Sequence, residues 1–278
     1  MRTNWAGGAA GWVKNERIFD AVFAPVTERI LAAAELGAGQ RVLDVGCGTG
    51  TLLKASVDAG AEVCGVDIAE GMAEAARRRV PESTVFVGDA QTVDLLEVLP
   101  GRPFDRVVSR FGVMFFDDSV AAFANLRRAA AAGAKLAFAC WRTEEENPMF
   151  TVGNSLLYDR LDPKPAEPGP GEPGPSALAD PERTARILSD AGWSSVAVEP
   201  LDFVCDYGID GSDGVEERLA GVLNTGVGRL AREQLVERVG EDGWNAAVEE
   251  VREALRARRV DGVFRVPGAV WIVTARNE

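Results

Sequence analysis

"RVLDVGCGTGT", residues 41–51, places a carboxylate, Asp44, shortly before three glycines at alternate positions, Gly46, Gly48 and Gly50. The apolar run 41–45 reads as a short strand, and "TLLKASVDAG" (51–60) reads as a helix ending at Gly60. A simple turn needs one glycine and a helix start needs none. Three of them let the chain bend tightly and let a ligand lie on the backbone, whose N–H groups point at it. Asp44 restricts the ligand: a carboxylate here repels a pyrophosphate and suits a cation or an amine. Thr51 stands where the dinucleotide fingerprint requires a small residue, which argues against NAD.

Outward from this turn, strand and helix alternate. Strands are expected at 61–67, 83–90, 104–112 and 134–141, and helices at 69–80 and 119–133. Apolar strands alternating with helices predict a doubly wound α/β fold, with helices on both faces of a mostly parallel sheet. Ligands of such sheets sit at the carboxyl ends of the strands. Before residue 41, Trp12, Ile18, Phe19, Val22 and Phe23 form one apolar helical stripe, and Pro25 opens a second helix.

Beyond Trp141 the pattern changes. The stretch 162–175 is rich in proline and glycine and predicts an exposed, mobile loop. A helix follows at 180–193, then a strand at 194–207 interrupted near Pro200. Residues 213–259 carry two or three helical stripes, and the last strand, 262–276, is expected to bend at Pro267–Gly268. That makes seven strands. The division is residues 1–40 as N-terminal helices, 41–207 with 262–278 as the α/β core, and 208–261 as a helical insertion, either a packing layer or a lid.

The 278 residues suffice for one large domain with an insertion. The net charge of −13 repels phosphate backbones, so nucleic acid is not an expected partner. There is no histidine, and Cys47, Cys64, Cys140 and Cys205 form no CxxC pair, so no metal site is expected. No apolar run reaches the length of a membrane span and the N-terminus lacks a signal-peptide core. The expectation is a cytoplasmic protein, monomer or homodimer, without membrane contact.

Two more acids sharpen the ligand. Asp67 ends the second strand, where an acid accepts ribose hydroxyls, and Ile68 and Met72 supply apolar surface beside it. Asp89, in Gly88-Asp89-Ala90, ends the third and is placed to accept from an adenine amino group. Each acid also has a plainer role, capping the helix or turn that follows.

Together, "VLDVGCGTG", Asp67 and "GDA" resemble the class I S-adenosylmethionine-dependent methyltransferases, specifically the UbiE-like small-molecule group known as methyltransferase type 11. The likeness runs from about Arg41 to Trp141. "RFGVMFFDD" (110–118) resembles a bacterial subgroup, and "WVKNERIFD" (12–20) resembles the helix that closes over the cofactor there. The resemblance implies a Rossmann-like core using S-adenosylmethionine and releasing S-adenosylhomocysteine. It implies that Asp44, Gly46, Cys47, Gly48 and Gly50 hold the methionine part and Asp67 the ribose. Met72, Gly88, Asp89 and Ala90 would flank the adenine, with Ile68 near, Trp12 above, and Ser109 and Arg110 on the sulfonium side.

The acceptor is expected to be a small apolar or aromatic metabolite, O-methylated by in-line transfer, with N- and C-methylation open. Phe19, Phe111, Met114, Trp141, Arg142 and Tyr158 are the acceptor-side candidates, with Phe150 adding apolar surface. Arg110 would pair with a substrate carboxylate, or with Asp117 or Asp118. No catalytic base is identified; Tyr158 and Glu144–Glu146 qualify by location alone. The alternatives are a protein of this fold that binds the cofactor but catalyses another reaction, or a binding module.

Overall fold

The computed structural model describes residues 9–166, 169 and 171–278. Its sheet has seven strands: β1 (Arg41–Val45), β2 (Glu62–Asp67), β3 (Thr84–Val87), β4 (Phe104–Arg110), β5 (Ala130–Trp141), β6 (Ser194–Asp206) and β7 (Arg265–Arg276). They lie in the order β3-β2-β1-β4-β5-β7-β6, and β7 alone runs antiparallel to its neighbours. The chain enters at the centre with β1, winds out to β3 and returns to β4 beside β1. The loops leaving β1 and β4 therefore diverge, and a crevice opens between them.

The helices follow from local signals. α1 (Glu16–Val22) and α2 (Ala24–Ala34), with Pro25 in its first turn, precede the sheet. Val26, Ile30 and Ala34 seat α2 against β4, β5 and β7. α3 (Thr51–Asp58) and α4 (Glu70–Arg79) follow β1 and β2, and α4 ends on Arg77, Arg78 and Arg79, cations that suit its negative end. α5 (Leu95–Val98), α6 (Ser119–Ala129) and α8 (Pro181–Asp190) start on Asp94, Asp118 and Asp180, each accepting from N–H groups of the first turn. α7 (Asn154–Tyr158), α9 (Val215–Leu223) and α10 (Gly226–Ala257) pack together beyond the sheet.

Several boundaries differ from expectation. The third strand stops at Val87 and the last begins at Arg265. The alanine-rich stretch expected as helix to 133 turns into β5 at Ala130. Alanine favours helix, but the Asn277 amide captures the carbonyls of Ala130 and Ala131, and the tertiary contact wins. β7 runs unbroken through Pro267 and Gly268. Pro267 lies beyond the end of β5, whose last partner is Val270, so its missing donor costs no bond on that side. Gly268 leaves room for the Phe203 ring, 2.5 Å from where a Cβ would stand. Pro200 does not interrupt β6, which is an edge strand. Val239 is exposed, and α10 is kinked next to it at Gly240 (φ 74°, ψ 178°). Part of the proline–glycine loop lies outside the described residues; its Gly174 N–H is tied to the carbonyl of Met114.

Candidate active site

The glycine loop is fastened to its surroundings. Gly46 and Cys47 donate to the carbonyl of Val66 at 2.8 and 3.1 Å. A Cβ at Gly46 would lie 2.7 Å from the Cα of Gly112, so the loops after β1 and β4 touch here and admit only glycine. Gly48 has φ +54° and open space where its Cβ would be, leaving bare backbone toward the crevice. Gly50 packs against Ala76 of α4.

Asp67 holds this loop from below. Its Oδ2 accepts from Gly48 N–H at 2.9 Å and its Oδ1 from Ala69 N–H at 2.8 Å. Burial raises its pKa, against the opposing pull of these N–H groups. Asp44 is only 2% exposed, and its Oδ1 has no hydrogen-bond partner among the described residues. Burial first, with the charge of Asp67 added, pushes it up to about 8 against the opposing pull of Arg110. An unpaired buried carboxyl is costly unless a donor or cation reaches it. Cys47 is buried and its thiol is raised well above the usual range, chiefly by burial, so it packs against Gly65 and is no nucleophile.

Met72 sits with Ala9, Ala69, Trp12 and Val13 in a small apolar cluster, with the half-buried Ile68 adjacent in sequence. Gly88 donates to Asp67 O, and a Cβ there would strike the Phe86 ring. Asp89 is engaged by Gln91, through its backbone N–H at 3.0 Å and its side-chain amide at 3.1 and 3.2 Å. The Gln91 oxygen in turn accepts from Asp117 and Asp118 N–H. Asp89 thus caps its turn and ties it to the loop after β4. Ala90 is buried beside it, its carbonyl taken by Asn125.

Three residues expected to face ligand are held otherwise. Ser109 is fully buried, donates to Val45 O at 2.7 Å and accepts from Gly112 N–H at 3.1 Å, so it clasps two loops. Arg110 reaches neither Asp117 nor Asp118; it donates to Thr27 Oγ1 (2.7 Å), Thr51 Oγ1 (3.2 Å) and Asp20 Oδ1 (3.3 Å). Arg142 pairs with Glu146 and Asp202 and lies over the Trp271 ring. Those bonds also occupy Glu146, one of the candidate bases. Tyr158 lies on α7 with the Lys164 ammonium 4.7 Å from its ring centroid.

The aromatic residues do gather. Phe111, directly after β4, has φ +69°, a strained value for a bulky residue, and its ring lies parallel to Trp141 at 4.3 Å. Phe23 meets both edge-on at 5.3 and 5.6 Å, and Phe150 meets Trp141 at 5.2 Å. Phe203 is 6.4 Å from Trp141, Phe19 stacks 6.1 Å from Phe23, and Trp12 lies 4.0 Å from Phe19. Met114 is buried, its sulfur 3.4 Å from Trp141 N. Phe203, Asp20, Thr27 and Arg79 were not legible as site residues. Asp20 gives one signal: it stands inside the apolar stripe, between Phe19 and Val22.

Residues 42–133 match the family model for a methyltransferase domain. The demethylmenaquinone methyltransferase of Renibacterium salmoninarum is 31% identical over 171 residues, 59% of this chain and 70% of that one. The chain belongs to the class I S-adenosylmethionine-dependent methyltransferases. Aklanonic acid methyltransferase DauC of a Streptomyces species is 34% identical over 139 residues, 47% of this chain and 58% of that one. Among solved structures, the YcgJ protein of Bacillus subtilis superposes with a TM-score of 0.57 at 15% identity, covering 91% of this chain and 97% of that one. The [4+2]-cyclase SpnF superposes at 0.52 and 17% identity, covering 91% and 79%, so the fold reaches beyond methyl transfer.

The residues of this methyltransferase fit S-adenosylmethionine. The orphaned Asp44 oxygen suits an ammonium, the open backbone at Gly48 leaves room for a ligand, and the Met72 cluster offers apolar surface. When bound, the cofactor supplies a methyl group already activated on a sulfonium. Among the described residues no group of three or more His, Cys, Asp or Glu is placed to hold a metal, and no helix is long and apolar enough to cross a membrane.

Proposed function

We propose that this small-molecule methyltransferase O-methylates a flat, largely aromatic metabolite bearing an acidic hydroxyl or carboxyl group. The observation that carries the reading is the parallel Phe111–Trp141 pair, with the edges of Phe23 and Phe150 around it, at the carboxyl ends of β4 and β5. Aromatic planes so placed orient a planar acceptor by stacking and keep water from it. The held φ of Phe111 aims its ring into this group.

Within this reading Asp44 holds the methionine ammonium, the loop at Gly46–Gly50 its backbone, Asp67 the ribose, and Met72 with Ala90 the adenine. The bound cofactor would supply its activated methyl group for in-line transfer to the acceptor oxygen, whose proton would pass to water. No histidine exists and Glu146 is tied to Arg142, so an acceptor that ionises readily suits the site. The name of one relative, an aklanonic acid methyltransferase, accords with an acidic acceptor. The net charge of −13 argues for a free small molecule over a nucleic acid, and the helices at 208–261 act as a packing layer on residues 149–158, where Arg218 donates to the carbonyls of Met149 and Val152.

The test is incubation of the protein and S-adenosylmethionine with matched panels of phenols, enols, carboxylic acids and amines, read by mass spectrometry. We expect products heavier by one methylene from aromatic oxygen acids, with equimolar S-adenosylhomocysteine. Turnover confined to amines would overturn the oxygen assignment.

A further inference from the structure

Asp20 lies on α1 and is bound by three core elements at once. Its Oδ1 accepts from Thr51 Oγ1 at 2.5 Å and from Arg110 at 3.3 Å, and its Oδ2 pairs with Arg79 at 2.6 Å. Thr51 is the first residue of α3, Arg79 the last of α4 and Arg110 the last of β4. One carboxylate from the N-terminal segment therefore bridges the walls around the glycine loop. Its cluster is partly screened from solvent, with side-chain exposures of 22% for Asp20, 28% for Arg79 and 12% for Arg110.

The helix carrying it is otherwise held by apolar packing, through Ile18, Phe19 and Val22. α1 has seven residues, no side-chain cap at its N-terminus, and one buried residue, Val22. A helix that short does not persist alone in water, so tertiary contacts decide whether it stays. Its other ion pair, Arg17–Asp210, is exposed and contributes little. Yet α1 and its flanks cover both halves of the crevice. Trp12 packs in the Met72 cluster, and Phe19 and Phe23 pack toward Phe111 and Trp141. With the cover in place, Met72 is 4% and Trp141 5% exposed. A ligand of nucleoside size reaches them only when the cover lifts.

We infer that Asp20 is the latch of this cover: its bonds to Thr51, Arg79 and Arg110 hold α1 over the crevice, and their release sets the rate at which cofactor and product exchange. Asp20 is a positioning residue, acting through α1 and not on the reacting atoms. The inference rests on the crevice being the cofactor site.

The experiment is stopped-flow measurement of S-adenosylhomocysteine binding and release by wild type, Asp20→Asn and Arg79→Gln, with thermal unfolding in parallel. Removing a charge-assisted bond of this kind is expected to speed both association and release by about tenfold. Affinity should change by less than about threefold, because both directions share the lid step. Wild-type release should quicken with added salt, and that dependence should vanish in Asp20→Asn. An ion pair that is only structural would lower the unfolding midpoint without speeding exchange, and that outcome overturns the latch, as do unchanged rates in both variants. Arg79→Gln keeps the test decisive if Asp20→Asn does not fold. Wild type that fails to bind S-adenosylhomocysteine would overturn the cofactor assignment itself; normal binding with unaltered rates overturns the latch alone.

Discussion

The floor and the wall of the crevice are built on different principles. The floor, Asp44 to Gly50 with Asp67 and Gly88 to Ala90, is backbone and carboxylate at three successive strand ends. The wall is five aromatic rings, Phe23, Phe111, Trp141, Phe150 and Phe203, from five separate segments. On the floor, position is set by the strand ladder itself: Asp44 pairs in register with Gly65 of β2 and Val108 of β4. On the wall, side chains depend on one another. A floor of this kind suits one unvarying ligand, while a wall of side chains can be exchanged without disturbing the ladder.

The largest effect expected of this contrast concerns Asp44. Its ordinary value near 3.8 is raised to about 8, so the native protein holds a proton that the unfolded chain releases in between. Stability without ligand therefore falls as pH rises from 4 to 8, by on the order of 5 kcal/mol. Asp44→Asn should flatten that slope in thermal unfolding across this range; a slope that persists unchanged would remove Asp44 as its source. Gly46→Ala comes next. Its Cβ meets Gly112 Cα at 2.7 Å on a backbone at φ +65°, and a loss of about 3 kcal/mol follows. Chemical denaturation measures it, and a near-neutral result would show that the two loops can part.

Asp67→Ala should weaken S-adenosylhomocysteine binding by about 1–3 kcal/mol, the scale of a buried group left unpaired. The same change frees Gly48 N–H, so calorimetric titration should be read beside stability; unchanged affinity would defeat the ribose placement. The smallest effect sharpens the wall. Phe111→Gly relieves the positive φ and Phe111→Ala does not, so the glycine variant should be more stable by about 1 kcal/mol. Both should raise the acceptor's KM more than they lower cofactor affinity. Equal loss of both would join wall to floor.

Legibility follows the same division. The alternation of strands and helices, the glycine turn and the acids at 44, 67 and 89 are local patterns with fixed periods, and they were readable. Asp67 and Asp89 were open to two readings each: Asp89 caps its turn through Gln91 N–H, whereas Asp67 does not cap the following helix, whose N-cap is Ala69, and holds Gly48 and Ala69 instead. Arg142 and Ser109 looked ligand-facing because they end or nearly end strands; Glu146, Asp202, Val45 and Gly112 claim them from elsewhere in the chain. Pro200 and Pro267 looked like breaks because their sheet neighbours were unknown.

By itself, then, the sequence determined the doubly wound sheet and the glycine turn after its first strand, since hydrophobic period and glycine freedom act within a few residues. Only the tertiary structure decided which side chains close the crevice. Asp20 meets Thr51, Arg79 and Arg110, and Phe23 meets Phe111, Trp141 and Phe203, across separations that no local pattern encodes. Those meetings are fixed by the packing of helices on the sheet, where the burial of many residues at once outweighs the preference of any one.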